Sequence, residues 1–518
     1  MTEMKTPRVG TVDKEELLKS VMETPTAIPA FIGITEKASN GLESLIGKPW
    51  KITSMAEFIR HFGGAHRPQF KLSVVDSTDE KISNAFASCF PSKNHKTLMA
   101  EKPEVLFSLY YHMLMFFANG GGTCYIVSTG TYEDRVMINA SMVTKALDAL
   151  KTVDDVTLVV VPEAISSKDC YDIQRQVLAH CKEQGNRFAI LDVPMKAGGN
   201  GKLETQLATF REKIGSDALS YAAAYSPWLQ TSIVSPSDLE GEMFIWAEGT
   251  NFSDLYAVDA RLSELFREKL NEFYEKECGS EGVGTHEANN QKVIEKRQSI
   301  QKHLHSVLMS SFPIYTSLIE KITNELSILP PSSAIAALYT TVDNTRGVWK
   351  APINVPLNHV RSTVENIPPD DHEKFSASED GKAVNDIRML DGIGCCICSA
   401  RTLDGNSIDW RYVHVRRTMM YLETLAKKVT KAYESEANEA LTWKGVKTTM
   451  NDLLHRIWKR GGLAGSEPEE AYDVHVGLGD TMTADDILKD IMRVTVLVAI
   501  TRPAEFMEIT IEQPMQKR

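Results

Sequence analysis

The 518-residue sequence predicts a multi-domain α/β protein with a mixed sheet core, a C-terminal α/β domain, a helical insertion and extended terminal strand arms. Three observations lead there. Short apolar runs bounded by turn residues alternate with amphipathic stretches between residues 105 and 228. Two long helical stripes occupy residues 415–457. The chain closes on an alternating segment, Met507, Ile509 and Ile511 against Glu508, Thr510 and Glu512.

Taken in order, residues 1–24 are polar and mixed in charge and read as an exposed arm. Thr24–Gly33 opens a buried strand, and Met55–Phe62 is a short amphipathic helix ended by Gly63-Gly64. Residues 65–104 read as polar and irregular. Val105–Asn119 is an apolar helix that stops at Gly120-Gly121-Gly122, and Cys124–Ser128 is a strand. Ala140–Leu150 has helical spacing. Val156–Pro162 is an apolar run of the kind covered on both faces of a sheet. Tyr171–Glu183 is a helix closed by Gly185, Phe188–Val193 the next strand, and Ser220–Trp228 a further strand. This alternation implies a mainly parallel, right-handed arrangement.

The character then changes. Asp259–Phe273 and Gln291–Phe312 carry helical periodicity and many charges, so residues 229–326 read as a mostly helical insertion. Leu329–Asn358 is rich in Pro and turn residues, and 359–383 is polar. Val384–Leu390 and Gly394–Arg401 are strand-like. Val415, Met419, Leu422, Ala426, Val429 and Tyr433 form one helical stripe; Trp443, Val446, Met450, Leu453 and Ile457 form a second. The second helix ends in Lys459-Arg460-Gly461-Gly462, cations and glycine where the helix dipole and a left-handed cap favour them. Tyr472–Val476 is a strand, Thr483 with Asp486 starts a helix as a capping box, and Val494–Thr501 is a buried strand. The resulting division is arm 1–24, α/β domain 25–228, insertion 229–326, return and linker 327–383, C-terminal domain 384–505 and terminal strand 506–518.

Composition narrows the function. A net charge of −12 argues against a general nucleic-acid binder. No run approaches the roughly 18–20 apolar residues of a membrane span, and the N-terminus lacks the apolar core of a secretory signal, which points to synthesis in the cytoplasm. Eight cysteines are too sparse for a disulfide scaffold. Cys395 and Cys398 are formally a C-x-x-C pair, yet no second pair or nearby His completes a metal site, so they read as buried thiols.

Catalytic signals are weak. Gly120-Gly121-Gly122 follows a helix and precedes a strand, the reverse of a phosphate loop, and reads as a tight turn. Asp404–Asp409 lacks the ligand spacing of a calcium loop. Arg346-Gly-Val-Trp-Lys350 is either a surface turn or a subunit contact. There is no Gly-x-Ser-x-Gly elbow and no His-x-x-x-His helix. No catalytic residue, cofactor or metal is assigned; the alternative is an α/β enzyme with a small-molecule site near Gly120.

Several segments in order resemble the sheath proteins of contractile tails, in phages, contractile bacteriocins and extracellular injection systems. They are Pro25–Lys37, Ile52–Phe58, Phe116–Val127, Pro331–Ala336, Asp343–Pro352, Ala400–Leu403, Trp410–Arg417, Gly477–Thr483 and Arg502–Phe506. Residues 229–326 and much of 65–100 have no counterpart and read as outward-facing decoration.

The resemblance implies a non-enzymatic structural subunit. It implies hexameric rings stacked helically around an inner tube protein, with baseplate and terminator or cap proteins as further partners. It implies no nucleic acid and no direct membrane insertion, and assembly into a phage tail-like particle. It also implies exchange of terminal strands between neighbours, with Thr6, Val9, Thr11 and Val12 on the N-terminal arm and Met507, Ile509 and Ile511 at the C-terminus. The alternative for the arm is a disordered terminus. For the tube contact, Lys444, Lys447, Arg456 and Lys459 lie off the apolar stripe of the second C-terminal helix; a solvated face, or Lys427, Lys428 and Lys431 on the first helix, are the alternatives.

Overall fold

A computed structural model describes residues 21–89, 95–195, 203–246, 302, 305–367, 380–500 and 506–515. Its centre is an eight-stranded sheet in the order β15-β14-β9-β8-β7-β1-β6-β2. These strands are β1 (Pro29–Thr35), β2 (Trp50–Ile52), β6 (Cys124–Thr131), β7 (Leu158–Val160), β8 (Phe188–Asp192), β9 (Ala222–Ser226), β14 (Asn385–Leu390) and β15 (Gly394–Ile397). Pairing is parallel from β14 through β6, and antiparallel only at the two outer pairs.

The apolar runs of the central strands follow from burial on both faces. Successive side chains point to opposite cores: Phe31, Leu158, Phe188, Ile190, Ala223 and Tyr225 to one, Ala30, Ile32, Val159, Ala189, Leu191 and Ala222 to the other. Helices α3 (Ala140–Leu150), α4 (Cys170–Gln184) and α5 (Leu203–Lys213) cover the second face through Val143, Leu147, Ile173, Val177 and Phe210. Helices α2 (Leu109–Ala118), α6 (Pro313–Leu326) and α7 (Ser332–Arg346) cover the first. Helix α1 (Met55–Phe62) starts at Ser54, whose side chain accepts the Glu57 N–H, and stops at Gly63 in the left-handed region, φ 87°.

Four expectations need correction. Residues 65–104 are not irregular: β3 (Phe70–Asp76), β4 (Ala87–Cys89) and β5 (Lys96–Ala100) join β11 (Phe244–Trp246) in a four-stranded sheet. Their short alternation was masked by intervening charges. Within Leu329–Asn358 lies α7, buried on nearly all sides, so it carries no amphipathic signature. The ends of 229–326 are core rather than decoration: β10 (Leu229–Thr231) pairs with β12 (Ile328–Leu329) and β13 (Val360–Thr363), and Leu308, Phe312, Tyr315 and Leu318 are buried. Asp259–Phe273 lies outside the described residues. Finally, β14 and β15 extend the large sheet, so the separate C-terminal core starts near residue 410 rather than 384.

That C-terminal core packs α8 (Val413–Ala432) and α9 (Ala440–Lys459) on a sheet ordered β16-β17-β18. Its strands are β16 (Tyr472–His475), β17 (Ile491–Ala499) and β18 (Phe506–Pro514). The α8 stripe from Val415 to Tyr433 is wholly buried; on α9, Val446, Met450, Leu453 and Ile457 are buried and Trp443 half-buried. Along β17, Met492, Val494, Val496 and Val498 face inward. Thr483 and Asp486 form the anticipated capping box at the start of α10 (Ala484–Leu488).

Candidate assembly interface

Three features of the C-terminal core bear on assembly. The first is β18, an edge strand that pairs antiparallel with β17 from Phe506↔Ala499 to Pro514↔Ile491. Met507 and Ile509 take their places in this ladder, with only their backbone described; Ile511 is buried against the core. On the far side, β16 pairs only with β17 among the described residues. Thr6, Val9, Thr11 and Val12 lie outside the described residues.

A second feature is the cationic face of α9. Lys444, Lys447, Arg456 and Lys459 are all exposed. At 100° per residue they span about half the helix circumference, opposite the buried stripe. Asp452 shares that face, and the charge of Arg456 reaches Glu23. Lys427, Lys428 and Lys431 on α8 are exposed as well, so the structure presents two cationic helix faces rather than one.

The third feature is the joint between the two cores. Arg417 projects from α8 and meets Asp343 of α7 through two hydrogen bonds, Nη1–Oδ1 3.0 Å and Nη2–Oδ2 2.7 Å. Nη2 also donates to the Thr26 carbonyl at 3.0 Å, and the guanidinium lies 4.6 Å from the Tyr339 ring centroid. Both charged side chains are almost fully buried, 4% and 1% exposed, which makes their mutual satisfaction obligatory. Just beyond α7, Val348 and Trp349 enter the C-terminal core. Gly462 leaves room for Trp349: a Cβ there would sit 2.9 Å from the indole. Within Arg346–Lys350, Val348 and Trp349 are thus an internal rivet and the Trp is not free for a subunit contact, while Arg346 and Lys350 stay exposed at the surface of the turn. Asp343 and Arg417 were not singled out from the sequence, although both fall inside the quoted sheath-like segments.

The loop at Gly120, where the alternative reading would put a small-molecule site, is a hydrogen-bonded turn. Gly120 turns with φ 88° after α2, and the Asn119 side chain accepts the Asn358 N–H and donates to the Met115 and Asn358 carbonyls, as a structural turn requires. Cys395 is buried on β15, where burial pushes its thiol up to about 12, whereas Cys398, just past the strand and read from the sequence as a buried thiol, is only half-buried. Among the described residues, no group of three or more His, Cys, Asp or Glu converges on a metal position, and no helix is long and apolar enough to cross a membrane.

No protein-family model and no curated protein matches the chain. Solved structures do. The chain is similar to the sheath complex of an extracellular contractile injection system, PVC, in the contracted state, at 23% identity and TM-score 0.58, covering 98% of this chain and 97% of that one. It is similar to a chain of the anti-feeding prophage baseplate in the contracted state, at 21% identity and TM-score 0.59, covering 98% of each. The anti-feeding prophage helical sheath in the contracted state gives 21% identity and TM-score 0.56, covering 98% and 97%. At such identities the likeness is one of architecture: the described residues have the fold of the sheath proteins of contractile injection systems.

Proposed function

We propose that the chain is the structural subunit of a contractile sheath. It polymerises as stacked hexameric rings around an inner tube, and passage from a metastable extended packing to a contracted one drives the tube through a target membrane. The observation that carries this reading is the end-to-end coincidence of fold with contracted sheath chains, with no large part of either chain left over. The likeness to a baseplate chain supports baseplate contact at one end of the polymer; terminator or cap proteins would bound the other. Synthesis in the cytoplasm precedes assembly into the particle.

The geometry supports a mechanism without a catalytic group. Arg417, Asp343 and Trp349 lock the two cores together, so the subunit moves as one body. Rearrangement then happens between subunits, driven by contacts that differ between the two packings. In the free subunit β18 completes its own sheet. Donated to a neighbour, the same strand remakes the same ladder, so exchange costs little net pairing energy and links copies head to tail. Met507, Ile509 and Ile511 serve that exchange. Thr6, Val9, Thr11 and Val12 would add to the open edge of β16. Lys444, Lys447, Arg456 and Lys459 hold the tube through screened, releasable charge contacts.

Electron microscopy of the purified chain tests the reading. Long tubes of stacked rings are expected. A population of discrete small oligomers under all conditions, in the presence of the inner tube protein, would overturn it.

A further inference from the structure

Arg460 lies just past the last turn of α9. Its guanidinium stacks 5.3 Å from the Trp349 ring centroid, and Nη2 sits 2.7 Å from Glu23 Oε2. The Tyr421 hydroxyl donates to the same oxygen at 2.9 Å. One turn back on α9, Arg456 adds a second positive charge within electrostatic reach of that carboxylate. A carboxylate placed here meets a planar donor already oriented by an aromatic ring, a hydroxyl and a second cation. These are the elements of an anion-binding site, and its observed occupant is a side chain of the same chain, 437 residues away.

The chain from Glu23 to Thr26 touches the C-terminal core at two points of opposite character. Thr26 is held through its carbonyl by Arg417, whose ion pair with Asp343 is 4% and 1% exposed. Glu23 is held through its carboxylate by Arg460, a pair 32% and 49% exposed. Pro25, between them, has no N–H with which to anchor the backbone. Salt and side-chain entropy weaken an exposed pair and leave a buried one intact. One contact is therefore a weld and the other a latch.

We propose that Arg460, Tyr421 and Trp349 form a carboxylate-binding site, filled in the free subunit by Glu23, that reversibly aims the N-terminal arm, with Thr24 as the pivot between latch and weld. Its role in assembly rests on the strand-exchange reading given above; its existence in the free subunit does not. Val21, next to the latch, packs on the C-terminal core. A released arm swings while the two cores stay joined.

A nitroxide label on Met22→Cys, with Cys278 and the half-buried Cys398 replaced by Ser, tests this in the unassembled full-length chain. Met22 is 84% exposed, so the label reports tethering rather than packing. E23Q, R460Q or about 0.5 M salt should each shift the label to a predominantly mobile spectrum. A second label at the equally exposed Leu488 should not respond. The double variant E23Q/R460Q should be no more mobile than either single one, as expected of a coupled pair. A Met22 label unmoved by E23Q, or single effects that sum in the double variant, would overturn the latch. Wild-type chain that shows the latch but never polymerises would sink the sheath reading alone. Polymers whose order is unchanged by E23Q would confine the latch to the free subunit and overturn its role in aiming the arm.

Discussion

The carboxylate of Asp192, at the end of β8, accepts the backbone N–H of Ser332 at the start of α7 over 2.8 Å. It thereby caps the helix that crosses the core face of the sheet and delivers Asp343 and Trp349 to the joint. Burial pushes this carboxyl up to about 7, and the hydrogen bonds from Ser332 only partly offset that. A carboxyl with a folded pKa above its unfolded 3.8 keeps its proton longer in the folded state. Stability then falls as pH rises from about 4 to about 7, by at most about 1.4 kcal/mol per pH unit, and is level above. His112, fully buried beside Ser333, has the opposite sign: burial lowers it to about 3, so stability is lost as pH falls below 6.5. Chemical denaturation of wild type and D192N across pH 4–8 separates the two. The difference between them should carry the Asp192 slope; a pH-independent difference would show that Asp192 does not titrate in this window.

Breaking the weld should be expensive. Arg417→Met leaves Asp343 buried without a counter-charge, and a loss of about 3–5 kcal/mol is expected in thermal or denaturant unfolding. Pairing it with Asp343→Leu should recover much of that loss, because the orphaned charge is then gone. The double variant should still disturb Thr26, whose carbonyl loses its donor.

The elements legible in the sequence are of two kinds: short apolar runs bounded by turn residues, such as Leu158–Val160 and Phe188–Asp192, and elements with one wet face. The α8 and α9 stripes, and the alternation along β18, are legible because one side of each meets water, whereas β17, read as a buried strand, proves to be buried on one face only. Helix α7 was not legible for the opposite reason. Ser332, Ser333, Thr340 and Asp343 are buried there, Ser332 held through its backbone N–H and the other three through their side chains, and polar letters in a sequence read as loop. The assembly features divide in the same way. The cationic face of α9 is local in sequence and was visible. The pairs Arg417–Asp343 and Arg460–Glu23 join residues 74 and 437 positions apart, and no local pattern announces such partners.

Ile511 tests whether β18 serves two roles. It is buried against the C-terminal core, so Ile511→Ala should destabilise the free subunit's C-terminal sheet by about 2 kcal/mol. Under strand exchange the same side chain fills the same site in a neighbour, and polymer order should fall in parallel. Loss of subunit stability with fully ordered tubes would mean that the strand stays in its own sheet.

Charge reversal on α9 isolates the tube contact from folding. Lys444 and Lys447 are exposed and make no ion pair among the described residues, so K444E/K447E should change subunit stability by no more than about 0.5 kcal/mol. Co-sedimentation with the inner tube protein should drop sharply, most of all at low salt, where charge contacts are least screened. The matching reversal on α8, at Lys427, Lys428 and Lys431, is the control that assigns the face. If only the α8 reversal releases the tube, α9 faces away from it and the inner surface of the sheath is α8.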